Sequence, residues 1–416
     1  MVDLENIPQS AREQVQSIGA ADLAIAVLGV GNDASFDSIV AGLREMLTSL
    51  SSRPRTVVIH GTSAAEPSPA VSGSDDSLRV LSYPKPSKEA TDPVESLTEG
   101  FRTAFNISDN LGARACGIIA SDPGPITPQW AYRLIRPVLD LDFDLVTPCY
   151  AHHKFEGLIN SSIIAPMTRA LYGRQIQSPM GPDFGISGRS ISRYVGNSNG
   201  NRPGRLSPPA GLAAAAVGAG LEICQVRVGE RRYGNTYWAN LSSLLAQVLG
   251  PAFVEVEQSA SYWHKIRGSQ PVPVFGEKTP VNEETVAVDV RHMVESFQLG
   301  FRNLHEIWGM ILPPASMLEL GRLARQDADH FRVPDELWVR VVYDFALGHR
   351  LRTINRDHLL RAITPIYLAW VASYELEMEK SAPTEAEERL ERLAVAYETG
   401  KPYFLSRWRW PDRFNP

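Results

Sequence analysis

The sequence predicts an α/β protein with a mostly parallel, covered sheet in residues 1–250 and a mostly helical domain in residues 251–416. Three observations predict it. Short runs of small and β-branched residues, such as Ala115-Cys116-Gly117-Ile118-Ile119-Ala120, have the composition of strands buried on both faces. Between them lie stretches with apolar residues at helical spacing, so strand and helix alternate. Past Gly250 the strand signal fades, and helical stripes separated by Pro-bearing joints take over.

Composition sets the outer bounds. At 416 residues the chain is long for a single core, so two domains are expected. A 44% hydrophobic and 21% charged content is that of an ordinary globular protein. The net charge of −6 argues against general nucleic-acid binding and against docking on anionic lipid. Cys116, Cys149 and Cys224 are widely spaced, without a metal-type or redox-type pair, and read as reduced core residues. The N-terminus has no apolar signal region and no window reaches the ~18 apolar residues of a membrane span. A cytoplasmic location, with neither nucleic acid nor membrane as partner, is the expectation.

In chain order, a strand over 22–28 runs into Gly29-Val30-Gly31, and Asn32 can cap the helix expected over 36–50. The glycine turn lacks the third glycine of a dinucleotide fingerprint, so it reads either as a nucleotide turn or as a bare connection. Strands follow at 55–61 and 77–83, then a helix at 94–105. The central strand ends abruptly at Ser121-Asp122-Pro123-Gly124-Pro125, since Pro-Gly-Pro continues neither strand nor helix. Asp122 is therefore expected at a carboxyl-end strand edge, where open α/β sheets bind ligands and where a carboxylate can hold a hard cation. Capping the turn is the plainer role for it. A helix over 129–139 and a strand over 143–150 lead to Tyr150-Ala151-His152-His153-Lys154, and a helix over 159–172 leads to the second acid turn, Gln177-Ser178-Pro179-Met180-Gly181-Pro182-Asp183. A loop over 196–211, a small-residue helix over 212–220 and a strand over 221–228 end near Glu230-Arg231-Arg232-Tyr233-Gly234. Helices are expected over 286–311, 316–325, 335–347, 356–376 and 385–397. Arg350, Arg352, Arg356 and Arg361 read as a solvated helix face, with a diphosphate clamp as the alternative.

This order of motifs resembles GT-A glycosyltransferases of the mannosylglycerate synthase and glucosyl-3-phosphoglycerate synthase type, over about residues 20–240. The resemblance implies a GT-A, Rossmann-like nucleotide-sugar domain, a helical tail, a divalent cation (Mg²⁺ or Mn²⁺), a nucleotide-sugar donor, a small, anionic, glycerate-like acceptor and retention of configuration. Ala120-Ser121-Asp122 stands where the family has DxD, so Asp122 would keep the metal role and Ser121 would lie beside the nucleotide. Gly29, Asn32 and Tyr233 would also meet the nucleotide. Glu230 stands where the family's late metal-binding His is found, and a carboxylate suits the same ions. The family's Gln-Pro-Leu-(Ala/Gly)-Gly-Glu turn is matched by residues 177–183, with Asp for Glu. It implies Gln177 and Asp183 as catalytic residues and Met180 and Gly181 as substrate contacts. Tyr150, His153 and Lys154 would meet the acceptor, and a homodimer is a further possibility. Two alternatives stay open: a nucleotidyltransferase, disfavoured by the lack of Lys or Arg in Gly29-Val30-Gly31-Asn32, and a glycosyltransferase-like binding protein without turnover.

Overall fold

The computed structural model describes residues 7–28, 33–48, 53–62, 77–84, 93–119, 128–198, 211–231, 240–281 and 289–411. Gly29, Asn32, Ser121, Asp122 and Tyr233 lie outside these residues. Ten strands are present among the described residues: β1 (Leu23–Val27), β2 (Thr56–Thr62), β3 (Leu78–Pro84), β4 (Ala115–Ile119), β5 (Leu145–Ala151), β6 (Arg174–Gln175), β7 (Phe184–Ser187), β8 (Ile223–Glu230), β9 (Gln270–Pro271) and β10 (Val274–Phe275). Contacts divide the chain into two compact units, 1–151 with 178–231 and 272–279, and 152–177 with 232–271 and 280–416. The division is thus not a single cut at residue 250. Residues 152–177 belong with the helical unit, and 272–279 belong with the sheet.

The first unit holds an eight-stranded sheet in the order β10-β8-β5-β7-β4-β1-β2-β3. Every pairing is parallel except those of β7, which runs antiparallel to β4 and β5. The expected mixed α/β class, with a mostly parallel sheet and a helical C-terminal region, is what the chain adopts. β1 and β2 are buried along their whole length, which is why β1 is an unbroken apolar run and β2 is apolar through Val57, Val58 and Ile59. The chain moves from β1 toward β3 on one side and from β4 toward β8 on the other. The switch point therefore lies between β1 and β4.

β7 is one of the elements that the sequence reading lacked. Phe-Gly-Ile-Ser is too short to show a period. Its insertion depends on glycine: Gly117 of β4 pairs with Gly185 of β7, and helix Pro128–Leu141 lies across both. A Cβ at Gly185 would land on the Leu134 carbonyl oxygen, and one at Gly117 would come within 2.8 Å of Ile135 side-chain carbons. Close approach of helix to sheet is what these glycines allow. The amino end of the sheet is pinned by Asp144, which accepts from Ser187, Ser190, Arg189 and the Glu222 backbone N–H.

Among the described residues, the regular structure of the second unit is helical apart from the β6–β9 pair. The helix expected over 159–172 forms, but it opens with a π-turn, Asn160–Ile164. Widening to i→i+5 frees carbonyls from the usual ladder. The Ser162 carbonyl accepts from both Trp338 Nε1 at 3.1 Å and Tyr397 Oη at 2.9 Å. The last helix, Pro383–Arg409, extends well past its expected end and carries Pro402 inside. Arg407 reaches Asp344 at 3.1 Å with both side chains buried, and Arg389 joins Asp335 and Glu377. Of the four arginines read as a solvated face, Arg350 donates to the Trp408 carbonyl and lies over its ring. Arg356 pairs with Glu257, and Arg361 with Asp357. The three cysteines are free and buried, as expected.

Two outcomes follow from this packing. Gly185→Ala should lower unfolding free energy by about 3 kcal/mol or more, because backbone must move to admit the methyl; urea midpoints measure it. Glu375 is 4% exposed, and burial pushes its carboxyl up from 4.5 to about 8. The folded chain then holds this proton more tightly than the unfolded chain. The stability gained is full below pH ~4.5 and is lost as pH rises through about 8. Glu375→Gln should therefore add stability on the order of 3 kcal/mol near pH 9 and change it little near pH 5, read from unfolding curves at the two pH values.

Candidate functional site

Because β7 is antiparallel among parallel strands, its first residue stands at the carboxyl edge of its neighbours. Phe184 pairs with Ile118, one residue before β4 ends. Asp183 therefore arrives at that edge. It is 0% exposed, and Tyr150 Oη donates to its Oδ2 at 2.6 Å. A buried carboxyl group is costly unless hydrogen-bonded, and the Tyr150 hydroxyl supplies such a bond at short distance.

Tyr150, 7% exposed, lies at the end of β5 where its register with β8 slips by one residue, opposite Gly229 at φ +130°. The bulge bends β8, and Arg231 lies with its guanidinium 4.7 Å from the Tyr150 ring centroid. Trp130 approaches the ring at 5.6 Å between centroids. Glu230, half-buried, pairs with Ala151 at the same edge of the sheet.

The acid turn packs on β5. β7 pairs with β5 only at Leu145 and Val146, so the later part of that flank is free for the turn, and a Cβ at Gly181 would stand 3.0 Å from Pro148 Cγ. Met180 and Gly181 are half-buried. Under the turn is a small pocket of about 10 Å³, lined by Leu145, Thr147, Ser178, Pro179 and Phe184. That is room for about one water molecule, so a nucleotide-sugar does not fit there.

The remaining candidates belong to the second unit. Gln177 is exposed, and its carbonyl accepts from Asn160 Nδ2 at 2.7 Å. His152 Nδ1 donates to the His153 carbonyl at 3.0 Å, and the His153 backbone N–H donates to Glu156. Lys154 Nζ donates to the carbonyls of Met378, Glu379 and Ser381 at 2.8, 3.1 and 2.8 Å. An ammonium has three donors. All three are engaged at the C-terminal end of helix Thr364–Met378, where a cation also answers the helix dipole. The structure thus gives Lys154 a capping task that the sequence reading did not foresee.

Among the described residues, no group of three or more His, Cys, Asp and Glu side chains is placed to hold a metal, and Asp122 lies outside those residues. The structure brings Asp183 together with Tyr150, two residues from separate expectations. It adds Trp130 and Arg231, of which only Arg231 stood in a motif already singled out. Asn160 gave no sequence signal, since a π-turn has no composition of its own.

No protein-family model matches the chain, and no curated protein does. Among solved structures, it is similar to a mycobacterial protein at 15% identity and a TM-score of 0.36, covering 59% of this chain and 78% of that one. It is also similar to glucosyl-3-phosphoglycerate synthase from Mycobacterium tuberculosis, solved with phosphoglyceric acid, at 15% identity and a TM-score of 0.35, covering 65% of this chain and 91% of that one. No helix among the described residues is long and apolar enough to cross a membrane.

Lys154→Ala should cost about 1–3 kcal/mol of stability, the value of charge-assisted bonds to carbonyls left unpaired, as measured by urea unfolding. Unchanged stability with an acceptor KM raised roughly 10- to 150-fold is the result an acceptor contact would give.

Proposed function

We propose that this chain is a metal-dependent glycosyltransferase of the GT-A type that moves a sugar from a nucleotide-sugar to a small anionic acceptor, with retention of configuration. The observation that carries the reading is the acid turn. It ends in Asp183, at the carboxyl edge of a mostly parallel sheet, beside the strand that Asp122 follows by three residues.

Asp122 and Glu230 would hold the ion, since both offer the carboxylate oxygens that Mg²⁺ and Mn²⁺ prefer. When bound, the ion neutralises charge developing on the departing diphosphate. Gly29, Asn32, Ser121 and Tyr233 would line the nucleotide. Asp183 contributes charge: from within a wall of low dielectric, a carboxylate stabilises positive character several ångströms away. Gln177, Met180 and Gly181 would orient the sugar. His153 carries the acceptor half of the proposal, because the Lys154 ammonium is engaged elsewhere. A homodimer belongs to the same reading.

The complete burial of Asp183 favours one rival, a protein that binds the donor without turning it over. Calorimetric titration of nucleotide-sugars with and without Mn²⁺, followed by a transfer assay with glycerate-like acceptors, separates the two. The expected result is donor binding strengthened by Mn²⁺ and transfer to an anionic acceptor, with Asp122→Ala removing the Mn²⁺ effect. Binding without hydrolysis or transfer favours the rival. Absence of binding by every nucleotide-sugar overturns both.

A further inference from the structure

Tyr150 is fixed on three sides by groups of its own unit. Its hydroxyl donates to Asp183 Oδ2 at 2.6 Å, Trp130 approaches the ring at 5.6 Å between centroids, and the Arg231 guanidinium lies 4.7 Å from the ring centroid. Its own exposure is 7% and that of Asp183 is 0%, so the hydroxyl is given to the carboxylate and not offered outward. The bulge between β5 and β8, with Gly229 in a backbone region that L residues avoid, brings Arg231 over the ring. Bulges beside functional sites commonly re-aim side chains in this way.

We infer that Tyr150 is a positioning residue that acts through Asp183 and not a contact of the acceptor. This rests on the reading of Asp183 as the group that stabilises positive character on the sugar. One carboxylate oxygen is held by the phenol, which restrains the orientation of the whole group. A charge already oriented before the reaction needs no reorganisation when positive character develops, and that is where most of such a group's effect lies. The phenol is itself restrained by Trp130 and Arg231, so the orientation is built from the ring outward.

The consequence is a particular pattern of kinetic loss. Tyr150→Phe keeps the ring between its two neighbours and removes only the donor. In the full chain, with the nucleotide-sugar identified by titration, kcat should fall roughly 10- to 100-fold while the KM values of donor and acceptor stay within about twofold. Slow hydrolysis of the donor without acceptor should fall by the same factor. In an Asp183→Asn background the Tyr150→Phe change should add no further loss, because the two residues act as one unit.

Three results would overturn the inference alone: an unchanged kcat with a raised acceptor KM, donor hydrolysis untouched by Tyr150→Phe, or losses that multiply in the double variant. Circular dichroism and thermal unfolding of each variant identify any loss that is merely misfolding, and Tyr150→Trp, which keeps an aromatic ring and a donor at a different reach, then repeats the comparison. A parent chain that binds no nucleotide-sugar removes the reading of Asp183 and the inference together.

Discussion

The candidate site depends on one constraint, the insertion of β7 between β4 and β5 against the direction of both. Parallel neighbours present their carboxyl ends together, and a reversed strand presents its beginning there. The residue before β7 is therefore delivered to the edge where ligands of α/β sheets bind. The insertion is possible only because Gly117 and Gly185 leave room for helix Pro128–Leu141 above them. Any side chain at Gly185 pushes that helix away, and Trp130 near its start moves with it. Packing under the sheet and geometry at its edge are the same event.

The second unit solves a different problem, which is how to fix helices that carry many buried charges. Arg407 and Asp344 are nearly inaccessible to water, and Arg389 is shared between Asp335 and Glu377. Burying such pairs gives little net stability over apolar residues of equal size. Losing one partner leaves an uncompensated charge and is far more costly. The pairs therefore act as registers: helix Pro383–Arg409 can pair Arg389 and Arg407 with their acids in one alignment only. Burial pushes the Asp344 carboxyl up even with Arg407 beside it, so desolvation outweighs the pairing there. The π-turn belongs to the same scheme, since the Ser162 carbonyl it frees ties Trp338 and Tyr397 to one point.

The sequence made legible what depends on periodicity and composition. Runs such as residues 22–28 and 115–119 formed strands buried throughout, and the stripe through Leu337, Val341 and Phe345 formed a buried helix face. What it hid depends on partners distant in the chain. β7 has four residues and β10 two, too few for a period, and both are strands only because a neighbouring edge needs them. The division of the chain was hidden for the same reason, because residues 152–177 are ordinary in composition and are claimed by the helices they meet. At the site, the residue types were legible as a carboxylate turn and a basic strand end. Their partners were not. Lys154 reads as a free cation until three carbonyls of a helix more than two hundred residues away are found around it.

The choice of aspartate, the shorter acid, at the end of the second acid turn has a physical consequence once Tyr150 is seen. A glutamate reaches one methylene further from its backbone and has one more rotatable bond to immobilise, which costs more side-chain entropy. An aspartate stays close to its own strand end, where a donor must come to it. The bulged end of β5 brings that donor, since Tyr150 Oη reaches Asp183 Oδ2 at 2.6 Å across the edge. The shorter acid and the phenol are therefore complementary. Where a longer acid would reach outward by itself, this chain uses a shorter one whose direction is set by a second residue, and the price is a carboxylate with no exposed surface of its own.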